Sequence, residues 1–74
     1  MQESVGKRLR AARQARGLSQ RTFAARLGVT QGAVSQMELE LIDVYAMRVR
    51  DAAQILNVDG NYLLGLCDTM ERKN

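Results

Sequence analysis

The segment Gly17–Glu38 reads GLSQRTFAARLGVTQGAVSQME, and it holds two helical patterns with almost no chain between them. Ser19 stands where an N-cap is wanted, ahead of QRTFAARL, whose Phe23, Ala24 and Leu27 share one face. Gly28 ends that helix. Thr30 can cap the next, QGAVSQME, whose inward residues are Val34 and Met37. Two residues, Gly28 and Val29, leave too little chain for an antiparallel hairpin, so the second helix must depart at a steep angle. Gly28 supplies the backbone freedom for the turn. Val29 can plug the junction, and Ala24 is small where the helices approach. This is helix-turn-helix geometry, in which the second helix is pushed outward far enough to enter a major groove.

The flanking sequence continues the helical period, and no run alternates with period two. Val5, Leu9 and Ala12 predict a first helix over about Ser4–Arg16, stopped by Gly17, with Leu18 as an apolar anchor beyond it. Val49, Ala52, Ala53 and Leu56 predict a fourth helix over about Tyr45–Leu56. Asp59 can cap a short fifth helix through Tyr62, Leu63 and Leu64. The expectation is an all-α, compact five-helix domain over residues 1–66, followed by a charged tail, 67–74, that frays.

Composition narrows the chemistry. At 74 residues and 8.3 kDa the chain makes one small domain. It is 46% hydrophobic and 26% charged, which fits a globular fold rather than a disordered one. No apolar run is long enough to span a bilayer, and MQESVGKRLR lacks the apolar stretch of a secretory signal, so no membrane association and a cytoplasmic location are expected. One cysteine, Cys67, and no histidine argue against a disulfide scaffold, a metal site, a cofactor and the usual general base. An enzyme is therefore not expected. Charge is lopsided. Residues 1–36 carry seven cations and one anion, whereas residues 37–74 carry four cations and seven anions. Six of the seven N-terminal cations are arginine. The basic half should attract a polyanion such as nucleic acid, unless the arginines merely solvate helix faces.

The residues of this segment resemble the lambda-repressor and Cro-type (Xre) helix-turn-helix family, whose pattern runs L-S-Q-x-x-L-A-x-x-L-G-V-S/T-x-x-x-I/V-S-x-W/L-E. The matching positions are Leu18, Ser19, Gln20, Phe23, Ala24, Leu27, Gly28, Val29, Thr30, Val34, Ser35 and Glu38. Val49, Ala52, Ala53, Leu56 and Val58 fall where the family places its fourth-helix core, and NYLLG is similar to its fifth-helix ending. The resemblance covers about Val5 to Gly65. It implies a double-stranded DNA-binding transcriptional regulator of prokaryotic or phage type, a repressor acting as a homodimer on a near-palindromic site. The recognition helix would be about Gln31–Glu38.

By the same resemblance, Gln31, Gly32, Ser35 and Gln36 are the candidate base-contacting positions. Gln31 would favour adenine through a bidentate amide contact. Gly32 offers no side chain; it either permits close backbone approach or is idle. Gln20, Arg21, Arg10 and Thr30 are the first candidates for phosphate, with Arg8 and Arg16 behind them and Arg26 solvated. Gln20 and Gln31 could brace each other. Arg13 and Glu38 would form an ion pair that holds the recognition helix in its pose.

The chain departs from the family after Glu38. Glu40 replaces a glycine, Leu41 a common lysine and Val44 a proline, and Met37 stands for the frequent tryptophan. With Glu40 and Asp43 the loop should repel phosphate. Two readings of the apolar Leu39, Leu41 and Ile42 are open: helix three extends and buries them, or they form a surface for a second subunit or a protein partner. The second supports an alternative function, a protein-interaction module (antitoxin or co-regulator) using Leu39–Tyr45, with DNA binding secondary. Leu63, Leu64 and Leu66 are either a core edge or part of a dimer contact.

Overall fold

The computed structural model describes residues 4–72, and among these the regular structure is five α-helices: α1 (Val5–Ala15), α2 (Gln20–Leu27), α3 (Gln31–Glu38), α4 (Ala46–Leu56) and α5 (Gly60–Leu63). The local signals that start each helix are explicit. Ser4 accepts from the Lys7 amide, Ser19 from Thr22, Thr30 from Ala33 and Asp59 from Asn61, at 2.9–3.3 Å. Each side chain satisfies one of the orphan amides of a first turn. α4 is the exception: Tyr45 at its N-cap makes no capping side-chain bond.

The helices end alike. In each, the residue one or two past the last helical position turns left-handed, and two amides fold back onto carbonyls of the last turn. For α2 these are Gly28 N–H to Ala25 O and Val29 N–H to Ala24 O; for α3, Glu40 N–H to Met37 O and Leu41 N–H to Gln36 O. The left-handed residues are Gly17, Gly28, Glu40, Asn57 and Gly65. Four are glycine or asparagine, which tolerate that region; Glu40 is not.

One apolar cluster joins all five helices. Leu9 and Ala12 of α1, Phe23, Ala24 and Leu27 of α2, Val34 and Met37 of α3, Val49, Ala52, Ala53 and Leu56 of α4, and Tyr62 and Leu63 of α5 are buried together with Val58. Val5, Leu18, Val29 and Val44 pack around it. α1 meets the end of α3 closely. A methyl group at Gly6 would fall on the Met37 carbonyl oxygen, with Glu38 O at 3.1 Å and Glu40 Cγ at 3.0 Å.

The described part of the charged tail, residues 67–72, packs against the helices. Cys67 and Met70 pack against the core, the Asp59 amide donates to Met70 O at 2.9 Å, and Arg72 Nε donates to Val58 O at 3.0 Å. The tail carries two apolar side chains that pack on the core, and its carbonyls accept from the Asp59 amide and from Arg8. Lys73 and Asn74, and residues 1–3 at the other end, lie outside the described residues.

Candidate nucleic-acid interface

α3 is anchored from within and bare outside. Its inward stripe, Val34, Met37 and Glu38, is buried. Glu38 is held by a buried network. Arg13 donates Nε–H to Oε2 at 2.7 Å and Nη2–H to Oε1 at 3.0 Å, a bidentate pair. Arg13 Nη1 donates to Leu18 O at 2.8 Å, and Gln20 Nε2 donates to Glu38 Oε1 at 3.1 Å. One carboxylate thus ties α3 to α1, and through Gln20 to the first residue of α2. A fork-to-carboxylate contact fixes direction as well as distance, so the network sets the orientation of α3.

The opposite face of α3 is open. Gln31, Gly32 and Gln36 are exposed, and Ser35 is half-buried beside them. Thr30, exposed, is the side-chain cap of the helix. The suggested brace between Gln20 and Gln31 does not form, because Gln20 turns to Glu38 instead. Arg21, Arg10 and Arg26 are exposed.

Arg8 and Arg16, candidates for phosphate on charge alone, do other work. Arg8 is buried, lies over the Tyr62 ring at 4.6 Å, and donates to Tyr62 O, Cys67 O and the Asp68 carboxylate. Arg16 donates to Leu56 O at 2.7 Å and Asn57 O at 2.9 Å, closing the C-terminal end of α4. Both look inward because α4, α5 and the tail present carbonyl oxygens to that side of α1. A sequence shows the cations but not these carbonyls, which come from residues 40 or more positions away.

The segment after α3 does not extend the helix, so the first of the two sequence readings, burial of its apolar residues by a longer α3, does not hold. The helix stops at Glu38 with Leu39 as C-cap, and Leu39, Leu41, Ile42 and Tyr45 are exposed. The turn at Glu40 (φ 65°) prevents the helix from continuing and burying them. Glu40 and Asp43 are exposed alongside. Leu63 is fully buried, whereas Leu64 and Leu66 are exposed. Leu64 borders an open groove of about 390 Å³ shared with Ala46, Val49 and Ala53.

Comparison with known proteins agrees with this geometry. The P22 c2 repressor in complex with synthetic operator 9T is similar to this chain with a TM-score of 0.78 at 25% identity, over 88% of this chain and 98% of that one. The DNA-binding domain of the P22 c2 repressor in solution gives 0.82 at 25% identity, over 93% of each chain. The restriction-modification controller protein C.AhdI from Aeromonas hydrophila gives 0.76 at 32% identity, over 81% of this chain and 87% of that one. No curated protein sequence matches the chain. The family model described as helix-turn-helix matches residues 9–63, from the core leucine of α1 to the last residue of α5. The chain belongs to the helix-turn-helix family of the Cro/C1 type.

Proposed function

We propose that this chain is a sequence-specific DNA-binding transcriptional regulator that lays α3 in the major groove of a duplex. The observation that carries this reading is the division of α3 into a face clamped by the Arg13–Glu38–Gln20 network and a face that leaves two amide side chains, Gln31 and Gln36, in solvent. A side-chain amide presents an N–H donor and a C=O acceptor side by side, the complement of the acceptor and donor that adenine shows in the major groove. Ser35 reads a base edge or a phosphate between them. Arg21, Arg10, Thr30 and Gln20, through the amide hydrogen not used on Glu38, take the phosphates. The similar structures support the reading, since they are those of a repressor with its operator and of a restriction-modification controller protein.

The chain would act as a homodimer on a near-palindromic site, with half-sites about 34–36 Å apart, and repress by occupying a promoter. The exposed Leu64 and Leu66 are the surface proposed for the two-fold contact. A second reading rests on a separate observation, the exposed Leu39, Leu41, Ile42 and Tyr45 beside α3. There the chain would bind a protein partner through that surface, and DNA binding would be secondary.

In-vitro selection of duplexes followed by binding at two salt concentrations separates the two. The first reading expects an enriched motif whose binding drops about tenfold or more in Gln31→Ala and Gln36→Ala. Failure to enrich any duplex, with a stoichiometric protein retained by the wild type and released by Leu41→Ser, favours the second.

A further inference from the structure

Gly32 occupies the most outward position of α3. At 100° per residue the buried Val34, Met37 and Glu38 define the inward direction, and Gly32 lies almost opposite their mean. It is the place where a reading helix would carry its most projecting side chain, yet nothing projects. A glycine inside a helix costs about as much as any residue other than proline, so its presence needs a reason. The usual reasons are absent. Gly32 is not among the residues with positive φ, so the backbone does not need glycine. A methyl group there would meet only Thr30 Oγ1, at 3.9 Å, an ordinary contact, so packing does not need it either. Gly6 shows the contrast, since a methyl there falls on backbone carbonyls.

With no internal reason, the geometry points to an external one: we infer that Gly32 is a clearance position, a notch in the reading face that receives the C5-methyl group of a thymine. The flanking chemistry suits that occupant. Gln31 and Gln36 stand on either side as exposed amides, the partners of an adenine edge, and a thymine accompanies each adenine. Leu39, exposed and on the same side one turn beyond Ser35 and Gln36, adds an apolar surface and no charge. A methyl group seated in the notch would let the helix approach the base pairs by the depth of the missing side chain.

This inference rests on the proposed DNA-reading function, and its test separates the two. The selected duplex is remade with uracil in place of each thymine in turn, which removes one methyl group at a time. Wild-type and Gly32→Ala proteins are titrated against the whole set. The expected result is one thymine per half-site whose replacement weakens the wild type about three- to tenfold. Gly32→Ala should bind the thymine duplex about tenfold more weakly than wild type, and recover most of that loss when the same thymine is replaced by uracil, because only one of the two methyl groups can occupy the notch. Thermal unfolding of Gly32→Ala should shift upward by about 4–8 °C, so weaker binding would not be a folding defect. If Gly32→Ala binds every thymine and uracil duplex as the wild type does, the clearance role is overturned while DNA reading stands. Losses of equal size on all duplexes, without recovery at any uracil, would also overturn it. If no duplex is enriched by the wild type, the underlying reading itself has failed.

Discussion

Glu40 holds a φ of 65°, a conformation that costs a residue with a Cβ about 1–2 kcal/mol. Two amides donate across this turn, Glu40 to Met37 O at 3.2 Å and Leu41 to Gln36 O at 2.9 Å, and they keep the conformation in place. The sequence marks Glu40 as standing where the family has glycine. It does not say whether the backbone keeps the glycine's shape or the helix runs on, since that depends on how α1 meets the end of α3. Glu40→Gly should therefore stabilise the protein by about 1 kcal/mol, the relief of strain exceeding the added freedom of the unfolded chain. A urea titration would register a higher midpoint with an unchanged slope. Gly6 is the converse case and was not legible at all, because a close approach between distant segments leaves no local pattern. Gly6→Ala raises helix propensity but drives a methyl group onto the Met37 carbonyl. It should destabilise by about 1–3 kcal/mol in the same titration, and a neutral or stabilising result would contradict the close approach.

At the scale of the element, helix limits were readable because their signals are local: Ser19, Thr30 and Asp59 cap, and Gly17 and Gly28 stop, within one turn of the residues they serve. What sets the pose of α3 is less local. Arg13 and Glu38 can be paired through the family resemblance, but the bonds that Gln20 and the Leu18 carbonyl add to the pair have no such signal in the sequence. Both follow from the turn between α1 and α2, which brings Leu18 and Gln20 against the pair. Removing one partner leaves a buried charge, so Glu38→Leu should cost about 3–5 kcal/mol. The double substitution Arg13→Met with Glu38→Leu removes both charges and should recover most of that loss. Under the proposed function its DNA affinity should remain reduced, because apolar contacts do not impose the fork's direction on α3. Unfolding measurements on both singles and the double close the cycle; additive losses would show that the pair is not coupled.

Across the whole molecule the charge asymmetry is plain in the sequence, but which cations are free to meet a polyanion is not. Arg8, Arg13 and Arg16 face inward, to Tyr62 and the tail, to Glu38, and to the end of α4. Arg10, Arg21 and Arg26 face solvent. The basic half is therefore partly internal wiring, and the free cations are fewer than the net charge suggests. Counterion release turns this division into a measurement, because each phosphate neutralised adds about 0.9 to the slope of log K against log salt. Arg21→Gln should flatten that slope by about 0.9 for each protomer bound while leaving stability nearly unchanged. Arg16→Gln should do the reverse: the slope stays, and the unfolding free energy falls by about 1 kcal/mol as the bonds to Leu56 and Asn57 are lost. If Arg16→Gln flattened the slope as much as Arg21→Gln, that arginine would have to leave α4 for a phosphate on binding, and the inward assignment would hold for the free protein alone.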